Sequence, residues 1–166
     1  AEDLARIFKQ YADLQNAKQL SQTICAARSV KPINTTWQLK EVVEKHIPAR
    51  IANKFLAQVF QALRIEVNDE LGVLKSLLQQ ATELLKPGGR LVVISYHSLE
   101  DRLVKNYMRD GKFEGDADKD FFGNKLVPYK LITKKPITPS NEENAKNNRA
   151  RSAKLRIAER TELRVE

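Results

Sequence analysis

Tyr96 and His97 are the side chains with the clearest potential for chemistry, because they directly follow the short apolar run RLVVIS, which ends at Ser95. A nearly continuous apolar run of this length is typical of a β-strand that is buried on both faces. In open α/β sheets, ligands bind just beyond the carboxyl ends of the strands. We therefore expect the phenol and the imidazole to reach a sheet edge where a ligand binds.

The segment SLEDRLVKNYM after this turn predicts a helix, with Ser98 as its N-cap and Asp101 as the carboxylate of a capping box. The first N–H groups of that helix, and the positive end of its dipole, would face the same crevice. A hydrolase triad of Ser95, His97 and Asp101 is disfavoured, because no glycine-flanked turn surrounds the serine. The sequence also lacks the glycine-rich phosphate-binding patterns of dinucleotide and P-loop proteins.

Helix and strand alternate around this turn. The sequence KPGGR before the apolar run ends a helix, with Gly88 or Gly89 expected in the left-handed conformation. Two later segments, YKLITKKPI and AKLRIAER, have the apolar content and alternation of strands. This order predicts an α/β fold, with helices flanking a sheet.

The N-terminal part of the chain predicts helices. Apolar residues recur there at steps of three and four, and Thr35 or Thr36 stands where a helix N-cap is expected. Trp37, near the start of that helix, is expected to pack the helical part together. Stacking on a cofactor is the alternative for this side chain.

The longest periodic segment runs from residue 52 to residue 85 and predicts one apolar stripe, formed by Phe60, Leu63, Val67, Leu71, Leu74 and Leu78. Gly72 is the expected point of a division or a bend. Arg64 and Asn68 are four residues apart, so on a helix they form a polar pair beside that stripe. Spacing alone leaves both a solvated flank and a functional site open for this pair.

The composition of the 166 residues, 42% hydrophobic and 30% charged, indicates one globular domain or a domain with a small appendage. A single cysteine, Cys25, excludes an internal disulfide, and with only two histidines no zinc site or other metal site is expected. No apolar run approaches the roughly 20 residues of a membrane helix, and the first residues do not resemble a signal peptide. We expect a cytoplasmic protein without a membrane anchor.

A net charge of +8 suggests a polyanionic partner, although surplus lysine also serves solubility. The distribution of charge is more informative, because one short C-terminal segment carries Arg149, Arg151, Lys154, Arg156 and Arg160. A cluster of this kind favours contacts with nucleic-acid phosphates. A solvated strand is the competing interpretation.

Three segments carry a resemblance: FQALRIEVNDEL, LKPGGRLVVISYHSLEDRLVK and NNRARSAKLRIAER. They resemble signature blocks of the RsmH (MraW) family. Its members are bacterial enzymes that use S-adenosylmethionine to methylate the N4 amino group of a cytidine in the decoding region of 16S ribosomal RNA. The likeness runs from Glu2 to about Thr161 and corresponds to the C-terminal half of a family member. Since most cofactor contacts of the family lie in the other half, the resemblance implies no cofactor-binding residues in this chain.

The resemblance implies two parts. Residues 1–52 would form a helical subdomain, inserted into the methyltransferase sheet and involved in recognising RNA. Residues 53–166 would form the C-terminal part of a class I (Rossmann-like) methyltransferase α/β domain. Its strands would span Leu91 to Ser95, about Tyr129 to Lys134, and Lys154 to Glu159, with the last strand antiparallel.

The resemblance also suggests roles for individual residues. Tyr96 would pack or stack near the substrate pocket, His97 would hydrogen bond at its rim, and Asn68 would give polar support; these are the candidate catalytic residues. A role of His97 as general base is a further hypothesis. The candidate RNA-binding residues are Arg64, Arg149, Arg151 and Lys154.

The predicted function is therefore methylation of 16S ribosomal RNA in the small ribosomal subunit, by an enzyme of which this chain represents a part. The isolated chain is expected to be inactive. An incomplete sheet would leave an open strand edge and apolar helix faces, so a homodimer is possible on this reasoning. The alternatives are a non-catalytic basic RNA-binding module derived from a methyltransferase and a helical protein-interaction domain.

Overall fold

A computed structural model describes residues 1–162, which form two compact units. The helical unit comprises Ala1–Glu70 and the sheet unit Leu71–Glu166. The fold is mixed α/β, mostly helical, with one small antiparallel sheet of three strands. No helix within residues 1–162 is long and apolar enough to cross a lipid bilayer.

The helical unit contains α1 (Glu2–Ala12), α2 (Ala17–Val30), α3 (Thr36–Glu44) and α4 (Ala49–Val67). The four helices share one core, which is formed by Ile7, Phe8, Leu14, Ala17, Leu20, Ile24, Val43, Phe55, Leu56, Val59 and Ala62. Of the two threonines predicted as candidate caps, Thr35 caps α3, since its hydroxyl accepts the N–H of Gln38. The Gln38 side chain in turn accepts the N–H of Thr35, which completes a capping box.

Helix α4 differs from the prediction in where it begins and ends and in which of its side chains are buried. The predicted boundary after Ala52 falls inside this helix, which contributes Phe55, Val59 and Ala62 to the helical core. The helix ends near Asp69, whose φ of 47° is left-handed, and Gly72 lies inside the next helix. The predicted stripe was wrong because it joined two helices, and so it placed the exposed Val67 on the buried face.

Trp37 does not pack the helical unit together. Its side chain is 63% exposed and donates a hydrogen bond from Nε1 to Glu41 at 3.1 Å. The ammonium of Lys40 lies 4.3 Å from the ring centroid. At the first turn of α3 the indole therefore lies along the helix surface, and the core of the unit is filled by aliphatic side chains and phenylalanine.

The sheet unit contains β1 (Arg90–Ser95) and all of α5 (Glu70–Leu84) except its first residue. In the turn that joins them, Gly88, one of the two glycines expected to be left-handed, has a φ of 81°. There follow α6 (Ser98–Asp110) and β2 (Tyr129–Leu131). The last elements are α7 (Asn141–Lys146), a 3₁₀ helix (Asn148–Ser152) and β3 (Lys154–Arg160).

Strand β3 lies between the other two and is antiparallel to both, as predicted for the last strand. Ser95 stands opposite Lys154 in the register of β1 and β3. Strand β2 ends at Leu131, earlier than predicted, because both Ile132 and Thr133 direct their N–H groups to the carbonyl of Ile157. This doubled contact interrupts the regular ladder.

The core of the sheet unit lies on one face of the sheet, where α5 and α6 provide Leu78, Val104, Tyr107 and Met108. The opposite face, which we call the open face, carries Val92, Ile94, Ile137, Leu155 and Ile157. Val92 is 53% exposed and Ile94 is 52% exposed. The prediction that β1 is buried on both faces was therefore wrong, because an apolar run shows what a strand is able to bury and not what packs against it.

Candidate functional site

The turn after β1 is organised by a capping box at the start of α6. His97, rather than the predicted Ser98, is the N-cap, and its Nδ1 accepts the N–H of Glu100 at 3.3 Å. The Glu100 carboxylate accepts the N–H of Tyr96 at 3.0 Å and that of His97 at 3.4 Å. The prediction was displaced by one residue because Ser98 is already helical, whereas His97 has extended backbone angles.

The two predicted site residues of this turn differ in exposure. The side chain of Tyr96 projects into solvent and is 59% exposed, whereas the side chain of His97 is only 12% exposed. Nε2 of His97 lies 3.3 Å from a carboxylate oxygen of Glu100, but it makes no hydrogen bond to any residue that the structure describes. The turn thus leaves the side chain of Tyr96 exposed to solvent and buries most of the side chain of His97.

Glu100 is ionised throughout the physiological range. Its contact with His97 and the N–H groups of Tyr96 and His97 lower its pKa to about 2, against the opposing effect of burial. A carboxylate that accepts several N–H groups at a helix start also interacts favourably with the helix dipole. The carboxylate side of the capping box therefore stays charged well below neutral pH.

Asp101 joins the start of α6 to β3. Its carboxylate accepts two hydrogen bonds from the buried Arg156, at 2.7 and 3.1 Å, and one from Lys154 at 3.2 Å. Burial raises the pKa of Asp101, but the hydrogen bonds from Arg156 and Lys154 outweigh it and hold the pKa below its usual value. The predicted capping role of Asp101 was wrong, and two cations of the basic segment are tied to this carboxylate.

The basic segment reaches the same end of the sheet as Tyr96. Arg149 and Arg151 lie in the 3₁₀ helix just before β3, and both residues are exposed. Lys154 follows and pairs with Ser95, the residue before Tyr96. Arg149 and Arg151, two of the predicted RNA-binding residues of this unit, are thus exposed to solvent. The third, Lys154, forms an ion pair with Asp101.

Arg64 and Asn68 are brought together in the helical unit by Glu70. Arg64 donates to the two carboxylate oxygens of Glu70 at 2.6 and 3.2 Å, and the amide of Asn68 donates at 3.4 Å. Asn68 is the C-cap of α4. Arg64, Asn68 and Glu70 therefore form a hydrogen-bonded group of three, in which the carboxylate of Glu70 neutralises the guanidinium of Arg64.

Glu100 and the Asp101–Arg156 pair were missed by the sequence analysis. Glu100 follows His97 by three residues, which is the spacing of a capping box, but His97 was not considered as the cap. The Asp101–Arg156 contact spans 55 positions and leaves no local signal in the sequence. Only the antiparallel pairing of β1 with β3 brings these two residues together.

Glycine geometry and carboxylate contacts bear on whether the described residues hold a nucleotide cofactor. A side chain at Gly111 would meet Pro128 at 2.8 Å, so this glycine makes room for protein rather than for a ligand. Both carboxylates near Tyr96, those of Glu100 and Asp101, accept hydrogen bonds from the chain itself. These contacts identify no cofactor-binding residue among residues 1–162.

Comparison with known sequences identifies the family. The sequence profile of the MraW methylase family matches residues 1–161. This chain belongs to that family. The resemblance inferred from the three sequence blocks is thereby confirmed.

Curated relatives from three bacteria carry the name ribosomal RNA small subunit methyltransferase H. The protein of Amoebophilus asiaticus is 58% identical over 162 residues, which are 98% of this chain and 52% of the relative. That of Flavobacterium johnsoniae is 57% identical over 96% of this chain and 52% of the relative, and that of Cytophaga hutchinsonii is 55% identical over 95% and 52%. The chain thus spans about half the length of the curated relatives that it matches.

Proposed function

We propose that this chain is part of an enzyme that transfers a methyl group from S-adenosylmethionine to the N4 amino group of a cytidine in 16S ribosomal RNA. The observation that carries this proposal is family membership combined with geometry. The relatives are named as methyltransferases of small-subunit ribosomal RNA. In this chain, an exposed tyrosine and an exposed pair of arginines lie at one end of the same sheet.

Tyr96 is the residue that we assign to the substrate base. An exocyclic cytosine amine is a poor nucleophile, because its lone pair is delocalised into the ring, so holding the amine in line with the methyl donor is the main task. The base must also leave its stack, and an aromatic side chain supplies a face on which it rests. Tyr96 is exposed at a strand end, and its N–H is fixed by Glu100.

Arg149 and Arg151 are assigned to the RNA backbone. Their exposure and their position before Lys154 support phosphate contacts, which raise affinity without choosing a sequence. Lys154 contributes less in this proposal, because its ammonium is held by Asp101. The Arg149→Ala/Arg151→Ala double variant should bind RNA more weakly, with a shallower dependence of affinity on salt; an unchanged salt slope would contradict the assignment.

The helical unit is assigned to recognition of the RNA as a whole, and Arg64 and Asn68 are its candidate contacts. In this role Asn68 gives polar support, and Arg64 must exchange part of its bond with Glu70 for a phosphate. Contacts to the methyl donor are assigned to the part of the relatives that this chain does not span. The cytoplasm, where ribosomes are assembled, is the proposed location.

The decisive experiment joins this chain to the part of a relative that the chain does not span. A chimera in which this chain replaces the matching segment of the Amoebophilus asiaticus relative should methylate 16S ribosomal RNA in small subunits, and mass spectrometry of nucleosides should detect N4-methylcytidine. The isolated chain is the control and should give no product. A chimera that folds and binds RNA but yields no N4-methylcytidine would refute the proposed function.

A second candidate function is a non-catalytic RNA-binding module. The two exposed arginines just before β3 are the observation that favours it. Calorimetry separates the two proposals: heat of binding between S-adenosylmethionine and the folded chimera supports the enzyme. A chimera that binds RNA but shows no such heat supports the module.

A further inference from the structure

We propose that His97 and Glu100 are positioning residues, which together hold Tyr96 in place, and that His97 acts as a helix cap in its Nε2–H form rather than as a proton acceptor. This inference rests on the proposed function, because it concerns how the turn after β1 serves a bound base. It assigns a role to Glu100, which no sequence motif had singled out. It also replaces the hypothesis that His97 is a general base.

The hydrogen bonds of the cap decide where the imidazole proton resides. Nδ1 of His97 lies 3.3 Å from the backbone nitrogen of Glu100, and a backbone N–H is always a donor. Nδ1 must therefore keep its lone pair, so the proton of the neutral ring is on Nε2. A ring in this form has no free lone pair with which to accept a proton from a substrate amine.

A general base at His97 would break the cap. To accept a proton at Nε2, the ring would first have to carry its proton on Nδ1, where it would point at the N–H of Glu100. The imidazolium would likewise have no acceptor for that N–H. Since the side chain of His97 is only 12% exposed, water has little access to replace the lost bond.

Glu100 also fixes the backbone at the end of β1, through hydrogen bonds from two N–H groups. Its Oε2 accepts the N–H of Tyr96 and, at a longer distance, that of His97. The backbone of the tyrosine is thereby bonded at the point where it leaves β1, while its side chain remains exposed. The capping box thus orients a displayed aromatic ring as well as starting a helix.

The helical unit contains a second capping box, which serves as a matched control for the box of His97 and Glu100. At the start of α3, Thr35 accepts the N–H of Gln38, and the Gln38 side chain accepts the N–H groups of Asn34 and Thr35. The bonds are the same in kind as those of His97 and Glu100, and they also include the residue before the cap. The RNA contacts proposed for the helical unit are Arg64 and Asn68, and this second box contains neither, so at saturating RNA its loss reports the cost of a missing cap.

The first measurement uses the chain as it is and requires no activity. Nitrogen-15 NMR of the imidazole should show Nε2 protonated and Nδ1 unprotonated at neutral pH, and the Tyr96 amide should exchange slowly with solvent. In Glu100→Ala that amide should exchange at least tenfold faster. A ring protonated on Nδ1, or exchange of the Tyr96 amide that ignores the substitution, would overturn the inference.

The second measurement uses the chimera with the Amoebophilus asiaticus relative. His97→Asn, which preserves a side-chain acceptor at the cap, should keep kcat within about threefold, whereas loss of a general base costs about a hundredfold or more. Glu100→Ala should lower kcat by about tenfold, because the ring is no longer oriented. Gln38→Ala should lower the melting temperature to a similar degree and leave kcat unaffected.

The outcomes separate this inference from the proposed function. If the unsubstituted chimera gives no N4-methylcytidine, the proposed function fails, and the NMR experiment alone decides the role of His97. If the chimera is active and His97→Asn loses a hundredfold in kcat, with the pH–rate profile flattened, His97 is a base and the inference fails. Equal kcat in Glu100→Ala and Gln38→Ala would reduce Glu100 to an ordinary cap and would also refute it.

Discussion

The two units of this chain differ in how completely they bury their apolar residues. In the helical unit, four helices enclose one core, in which Phe8, Val43 and Val59 are fully buried. In the described part of the sheet unit, α5 and α6 pack on one face, and Val92 and Ile94 remain about half exposed on the open face. The helical unit satisfies its own apolar surface, whereas the sheet unit presents a surface suited to another layer of protein.

The difference in core packing predicts the largest effect. Phe8→Ala should destabilise the helical unit by about 3–5 kcal/mol, because it removes a fully buried ring and leaves a cavity. Ile94→Ala in the sheet unit should cost less than about 1 kcal/mol, because the side chain is half exposed. Urea unfolding, followed through NMR signals of each unit, measures both. Equal losses would mean that the open face is covered in solution.

The buried ion pair of the sheet unit predicts the next effect. Asp101→Asn should cost about 3 kcal/mol, since it leaves the guanidinium of Arg156 buried without its counter-charge. The matched control is Glu142→Gln, which removes the partner of Lys146 in an exposed pair and should change stability little. Chemical denaturation compares the two variants. A small loss in Asp101→Asn would show that water reaches Arg156.

Acid should destabilise the sheet unit more than the helical unit. Hydrogen bonds lower the folded-state pKa of Glu100, to about 2, and those of Asp101 and Asp110. Carboxyls with lowered pKa values stabilise the fold above the unfolded pKa of about 4, and this stability is lost as the pH falls through the folded values. Urea midpoints for each unit at pH 7, 4 and 3 should diverge. Earlier unfolding of the helical unit would contradict this prediction.

The smallest effect concerns association. If the open face drives self-association of the isolated chain, Ile94→Lys should weaken a dimer about tenfold, because it places a charge in an apolar contact. Val30→Lys is the control, since Val30 is 90% exposed and belongs to the helical unit. Sedimentation velocity measures both. Unchanged association of the Ile94 variant would exclude the open face as the dimer contact.

Several local features could be predicted from the sequence because their causes are local. The cap at Thr35 follows from a hydroxyl before a helix, with an amide side chain three residues later. The left-handed turn at Gly88 follows from the absence of a Cβ. The position of β1 followed from its apolar run, and the resemblance supplied the antiparallel direction of the last strand.

Features that depend on partners distant in sequence were predicted poorly. Asp101 was placed in a capping box, but its carboxylate binds Arg156 on β3. Trp37 was placed in a core that aliphatic residues and phenylalanine fill instead. The periodic stripe over α4 and α5 ignored a left-handed residue at Asp69, which lies between the two helices.

By itself, the sequence determined β1 and the helices on either side of the α3 cap and the Tyr96–His97 turn, the family, and the location of Tyr96 and His97 at a strand end. Hydrogen-bonding capacity and apolar spacing within a few residues are sufficient for this, because both act along the local chain. The tertiary structure alone decided which basic side chains form ion pairs, which face of β1 is exposed to solvent, and whether Tyr96 or His97 is exposed in the turn. Those outcomes depend on what packs across the sheet, and β3, more than 50 positions away from Asp101, provides the contact.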